Sequence, residues 1–211
     1  MSKIQEVYEA VEAGKAKRVP AAVQEALDAG CDPTAILNEG MIAAMDSVGA
    51  KFKAGEIFVP EMLVAARAMK KGVEVLKPHL SSGAATGLGK IIIGTVAGDL
   101  HDIGKNLVAM MMESAGFEVI DLGVDVPKEK FIEAVEANPD VKIVGCSALL
   151  TTTMPSLKET VAALNAAPFR SKIKVMVGGA PITQAFADEI GADAYTEDAA
   201  SAAQKAKELV A

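Results

Sequence analysis

Gly98-Asp99-Leu100-His101-Asp102-Ile103-Gly104-Lys105-Asn106-Leu107 joins two apolar runs. Ile91-Ile92-Ile93-Gly94-Thr95-Val96-Ala97 leads into it, and Leu107-Val108-Ala109-Met110-Met111-Met112 leads out. The first run reads as a buried strand and the second as the start of a helix. The polar residues between them then lie on a loop at the carboxyl end of a strand, the edge of an open α/β sheet where ligands bind. The chain has two histidines, and one of them stands here, two residues from a carboxylate. Each residue also has a plainer role. Asp99 can cap the following helix, Gly104 can ease a turn, and His101 can be a solvated loop side chain. Asp-x-His-x-x-Gly fixes too few positions to name a chemistry by itself.

Working outward, residues 90–211 alternate strands and helices. Strand 90–97 is followed by a helix over 104–115, then Phe117-Glu118-Val119-Ile120-Asp121-Leu122 as a second strand. A helix opening at Val126-Pro127, a third strand at 142–147, a helix over 154–166 and a fourth strand at 173–177 follow. A helix over 182–190, a short strand at 192–195 and a final helix over 199–210 complete the pattern. This order predicts an α/β domain with a five-stranded parallel sheet, Rossmann-like or flavodoxin-like, covered by helices on both faces. A parallel sheet puts the residues after each strand along one edge: Asp99 and His101, Gly123 and Asp125, Ser147 with Thr151-Thr152-Thr153, Gly178-Gly179, and Glu197-Asp198.

Residues 1–80 have a helical period instead. Ile4, Val7, Tyr8 and Val11 form one apolar face, and Val23, Ala26 and Leu27 a second. Asp32-Pro33 pairs an N-cap with a first-turn proline. It opens a helix to about residue 53 with Ile36, Leu37, Met41, Met45, Val48 and Phe52 on one face. Phe58-Val59-Pro60 starts a fourth helix that runs to Lys77-Pro78. Four helices with short connections predict a small bundle. Its Met and Leu residues read as core, and Phe52, Phe58 and Val59 as an apolar lip at one end. Ser81-Ser82-Gly83-Ala84-Ala85-Thr86-Gly87-Leu88-Gly89 has the composition of a flexible linker. The expected domains are therefore 1–80, a linker at 81–89, and 90–211.

Composition excludes several classes. A formal charge of −7 argues against a nucleic-acid surface. No apolar run reaches the ~18–20 residues that span a bilayer, and the start MSKIQEVYEA lacks the apolar region of a secretory leader. No membrane, no nucleic acid and a cytoplasmic location are expected. Cys31 and Cys146 fall in different elements and make no disulfide framework. No Gly-x-Gly-x-x-Gly or Gly-Lys-Ser/Thr motif is present to hold a pyrophosphate. Neither cysteine lies near a second zinc ligand in sequence. Asp99, His101 and Ser147 suit a hydrolase triad in residue type, but Ser147 lacks the Gly-x-Ser-x-Gly elbow.

Three motifs in register resemble the cobalamin-binding signature of the B12-dependent methyltransferases. They are Asp99-x-His101-x-x-Gly104, Ser147-x-Leu149 and Gly178-Gly179, with 42 residues between the first two and 28 between the last two. Lys51-Phe52-x-x-Gly55-Glu56-Ile57-Phe58-Val59-Pro60 followed by Met69-Lys70 is similar to the family's helical cap. The two-domain length is similar to that of the stand-alone corrinoid proteins of anaerobic methyltransferase systems, which serve methylamines, quaternary amines, methanol and methoxylated aromatics.

The resemblance implies a corrinoid methyl carrier, not catalytic alone, with cobalamin bound base-off and His-on and cycling between Co(I) and methyl-Co(III). His101 would be the lower axial cobalt ligand, an imidazole being well suited to such a metal. Asp99 would hold its other ring nitrogen, and Ser156 would be the third member of the proton relay. Gly98, Leu100, Asp102, Ile103 and Gly104 would complete the cofactor loop. Ser147, Leu149, Thr151, Gly178 and Gly179 would accommodate the displaced nucleotide tail, which would end near Asp198 and Ala199. Phe52 and Val59 would cover the methyl-bearing face. Asn38 departs from the pattern, since methionine synthase has a glutamate there that contacts the cofactor. Implied partners are a substrate:corrinoid methyltransferase, a corrinoid:tetrahydrofolate or corrinoid:coenzyme M methyltransferase, and a reductive activase. A cobalamin-dependent sensor and a cofactor-free binding module are the alternative readings.

Overall fold

The computed structural model describes residues 2–80 and 88–211. They form two compact units, one built on the residues up to Leu80 together with Ser114–Gly116, and one comprising Leu88–Glu113 and Phe117–Ala211. The expected linker falls at 81–87, outside the described residues, apart from Leu88 and Gly89.

In the first unit, α1 (Lys3–Glu12), α2 (Val19–Asp28) and α5 (Val59–Leu76) are regular helices. The third expected helix is composite: α3 (Pro33–Ala35) widens into a π-helical segment, Ile36–Ile42, and continues as α4 (Ala43–Lys53). The Asp32 carboxylate caps its start by accepting from Ala35 N–H at 2.9 Å. Glu61 accepts from Phe58 N–H at 3.1 Å and fixes the start of α5. The core is aliphatic, as the lack of Trp requires: Val7, Val23, Ile36, Met41, Met62 and Met69 are buried. Each such side chain contributes about 1.5–3 kcal/mol when removed from water.

In the second unit the strands are β1 (Lys90–Thr95), β2 (Glu118–Asp121), β3 (Val141–Ser147), β4 (Lys174–Gly178) and β5 (Ala194–Tyr195). All pair in parallel, in the order β2-β1-β3-β4-β5. The connecting helices are α6 (Ile103–Ser114), α7 (Lys128–Ala137), α8 (Met154–Ala166) and α9 (Gln184–Ile190), with α10 (Ala199–Val210) last. Ile91, Ile92 and Ile93 are all buried, as are Val144 and Val175 on the neighbouring strands. Strands covered on both faces read as continuous apolar runs for this reason. Phe131 of α7 fills the space over Gly94, where an added Cβ would come within 2.8 Å of its ring.

The strand order reverses between β1 and β3, which are neighbours although β2 separates them in sequence. Loops leaving the two strands at such a point diverge and leave a crevice. The register aligns Thr95 with Ser147 and Ser147 with Gly178 along the carboxyl edge. Among the described residues, no helix is long and apolar enough to cross a membrane.

Candidate functional site: a histidine loop at the switch point

The loop between β1 and α6 enters the crevice through Gly98, which takes φ +82, a conformation open to glycine and costly for most residues. Asp99 follows with none of its side chain exposed. One carboxylate oxygen accepts from His101 Nδ1 at 2.7 Å and from His101 N–H at 3.1 Å. The other accepts from Leu149 N–H at 2.7 Å, Leu150 N–H at 3.3 Å and the Thr153 hydroxyl at 2.7 Å. The loops after β1 and β3 are thus joined through one buried carboxylate. Burial opposes ionisation of Asp99, but the bonds from Leu149, Thr153 and His101 outweigh it and hold the carboxyl well below its ordinary 3.8. An ionised Asp99 can only accept, so Nδ1 of His101 is an N–H nitrogen, and in the neutral ring Nε2 then carries the lone pair.

His101 itself is 48% exposed. Its carbonyl accepts from the buried Thr95 hydroxyl at 2.8 Å, which ties the histidine to the end of β1. Leu100 and Ile103 beside it are 73% and 86% exposed. Leu149 and Leu150, on the loop after β3, are also exposed. Large aliphatic side chains exposed together around one polar group mark a binding surface.

The remaining expected residues take defined places. Ser147 and Gly178 lie side by side at the strand ends. A Cβ on Gly178 would meet no atom closer than 4.0 Å, whereas one on Gly179, at φ +130, would overlap the Ala148 carbonyl oxygen. Gly104 opens onto free space. Asp102 accepts from Asn106 Nδ2 at 3.0 Å in the first turn of α6. Thr151 is exposed. Asp198 caps α10, accepting from Ser201 N–H at 2.8 Å and its hydroxyl at 2.7 Å, next to buried Ala199. Phe52, in α4, is half-buried, and Val59 opens α5; both belong to the first unit.

The expected third relay member needs correction. The hydroxyl on Asp99 belongs to Thr153, which precedes α8, and not to Ser156. Ser156 lies within α8, where its carbonyl accepts from the Thr160 hydroxyl at 2.8 Å. The three consecutive threonines were visible in the sequence, but the tight turn at Thr151–Thr153 decides which of them reaches the carboxylate. Thr95 also supports the loop without having been singled out, and Asp125, expected only as one of the residues along the carboxyl edge, does so as well.

Among the described residues, no group of three or more His, Cys, Asp or Glu side chains could hold a metal ion by itself. The donor set is a single imidazole with its distal nitrogen directed by a buried carboxylate. It suits a metal that arrives with its other ligands attached, and the exposed leucines and small residues around it suit a large, partly apolar macrocycle.

An Asp-braced histidine at the switch point of a parallel sheet fits a corrinoid-binding protein, and sequence comparison shows that class. Models of the B12 binding domain match residues 89–204 and 3–77, and the chain belongs to this family. It is 48% identical to dimethylamine corrinoid protein 1 of Methanosarcina acetivorans over 99% of this chain and 97% of that protein. It is 50% identical to trimethylamine corrinoid protein 2 of the same organism over 90% and 88%. Among solved structures, the methanol:cobalamin methyltransferase complex of Methanosarcina barkeri matches with a TM-score of 0.85 at 31% identity, covering 99% of this chain and 79% of that one. The cofactor of this chain is therefore a cobalamin-class corrinoid.

Proposed function

We propose that the chain is the methyl-carrying corrinoid protein of a methylamine-type methyltransferase system. The observation that carries this reading is the buried Asp99 carboxylate, which holds Nδ1 of His101 and leaves Nε2 as the nitrogen for a metal, at the junction of two loops of a B12 binding domain. Relatives of nearly full length named for dimethylamine and trimethylamine support the substrate class.

When bound, the corrinoid supplies a cobalt centre that accepts a methyl group and releases it again. This chain's own residues hold and tune that centre. His101 Nε2 would ligate it. Asp99 keeps a negative charge against Nδ1, which raises the basicity of the imidazole. The Thr153 hydroxyl and the Leu149 N–H keep Asp99 ionised and fixed. Ser147, Leu149, Thr151, Gly178 and Gly179 would take the nucleotide tail, with Asp198 and Ala199 near its end. One partner methyltransferase delivers the methyl group from dimethylamine or trimethylamine. A second would pass it to coenzyme M or tetrahydrofolate, and a reductive activase would be a third partner.

The test is an absorption spectrum after reconstitution with hydroxocobalamin, for wild type and His101→Ala. Stoichiometric corrinoid with a spectrum that changes on loss of His101 is expected. Identical spectra place the ligand elsewhere, and failure to bind under anaerobic, reducing conditions overturns the reading. Methyl transfer from dimethylamine, but not methanol, with the cognate methyltransferase checks the substrate class.

A further inference from the structure

Asp125 is the only non-glycine residue with positive φ among the described residues, at +53. Asp tolerates this left-handed region better than most residues, but the conformation still carries strain. Its carboxylate does not serve its own surroundings: α7 begins after Pro127 with no side-chain cap. Instead, one carboxylate oxygen accepts from Gly98 N–H at 2.7 Å, across 27 residues of sequence. The Asp125 N–H donates to the Asp99 carbonyl at 2.9 Å. One left-handed residue thus grips Gly98 and Asp99, just ahead of His101, by both its backbone and its side chain. The neighbouring bonds make the grip a continuation of the sheet: Thr95 N–H donates to Gly123 carbonyl and Val126 N–H to Thr95 carbonyl, both at 2.9 Å. Gly98 is itself left-handed at φ +82. Its N–H therefore has a charged acceptor at the point where the chain turns out of β1.

We propose that Asp125 is a positioning residue for His101. It locks Gly98 and Asp99 so that the imidazole is held ready for ligation before the corrinoid arrives. A strained, exposed residue whose carboxylate is spent on the ligand loop has a use there that no local turn requires. Preorganisation of a ligand by the residues behind it governs how fully a metal is engaged. The inference rests on His101 being the cobalt ligand.

The experiment compares wild type, Asp125→Gly, Asp125→Asn and His101→Ala after reconstitution with cobalamin and reduction to the Co(II) state. The readout is the electron paramagnetic resonance spectrum, in which an axial nitrogen splits each cobalt line into three. Asp125→Gly relieves the backbone strain but removes the acceptor, and the ratio of nitrogen-ligated to unligated corrinoid is expected to fall about tenfold, the loss of one charge-assisted hydrogen bond. Asp125→Asn keeps an acceptor oxygen and tolerance of the left-handed region, so it is expected to restore most of the nitrogen coupling. A residue with a merely structural role would lower the amount of folded protein and leave the coupling in the bound fraction unchanged. Full coupling in Asp125→Gly overturns the proposal. Loss of coupling in His101→Ala with full coupling in Asp125→Gly removes this inference alone, whereas unchanged coupling in His101→Ala removes the ligand assignment beneath it. Hydrogen exchange of the wild-type chain without cofactor gives an answer that needs no variant. The Gly98 amide is expected to be strongly protected, and exchange at the rate of a free loop amide overturns the proposal.

Discussion

Asp99 accepts from His101, Leu149, Leu150 and Thr153 together, so the loss of a single donor is graded rather than all-or-none. Thr153 is buried, and Thr153→Val keeps its shape while removing the hydroxyl. The chain without cofactor is expected to lose about 1–2 kcal/mol, read as a lower urea midpoint. Thr153→Ser is expected to recover most of it, and Ser156→Ala to change stability by less than about 0.5 kcal/mol. A large effect at Ser156 and none at Thr153 would mean that Thr153 does not hold the Asp99 carboxylate. The two glycines of the Gly178-Gly179 pair are expected to behave differently. Gly179→Ala puts a Cβ 1.8 Å from the Ala148 carbonyl oxygen at φ +130 and is expected to cost about 3 kcal/mol or more, since backbone cannot move aside as a side chain can. Gly178→Ala meets nothing closer than 4.0 Å. It is expected to leave the cofactor-free chain within about 0.5 kcal/mol of wild type while weakening corrinoid binding in a titration. The sequence showed the pair as a motif, but only the backbone shows that one glycine is required by the fold and the other leaves room.

At the scale of elements, packing decides what propensity leaves open. Gly72 lies inside α5, where glycine is about 1 kcal/mol less favourable than alanine. Its missing Cβ makes room for the Val19 and Met41 side chains, each of which would lie 2.7 Å from an added carbon. Met41 can swing away, but Val19 is held to few rotamers on its helix. Gly72→Ala is expected to lose about 1–2 kcal/mol net despite its better propensity, measured by the thermal midpoint of the far-ultraviolet dichroism. The alternation of strands and helices after residue 90 was legible because continuous runs such as Ile91-Ile92-Ile93 fit strands buried on both faces. The π-helical segment Ile36–Ile42 was not. Leu37, Met41 and Met45 recur every four residues, a spacing that an ordinary helix satisfies equally well. The left-handed Asp125 was equally hidden, because a Gly-Val-Asp-Val-Pro stretch reads as a plain turn until its long-range partner Gly98 is known.

For the whole molecule, the depressed carboxylates set the response to acid. Glu25 is pulled down to about 2 by Arg18 first and then Lys3, but its side chain is 42% exposed, so solvent screens the pairing and little stability depends on it. Glu12, lowered by Ser47 and then Lys51, and Asp140, lowered by Lys90, add to the same trend. Asp99 differs in being fully covered and held by donors from two loops. A carboxyl whose folded value lies below its unfolded one stabilises the fold fully at pH above the unfolded value, and that contribution is lost as pH falls toward the folded value. The cofactor-free wild type is therefore expected to keep a level stability from neutral pH to about 5, and to lose it progressively below about 4. Asp99→Asn is expected to be less stable at pH 7, because one oxygen that accepted hydrogen bonds becomes a donor facing other donors. The gap between variant and wild type is expected to narrow as pH drops below 3.8, where the native carboxyl begins to lose its advantage. Urea midpoints of both proteins from pH 7 to the acid limb check this. Curves that stay parallel through that window would mean that the buried carboxylate does not govern acid stability, and that the exposed pairs on the helical unit do.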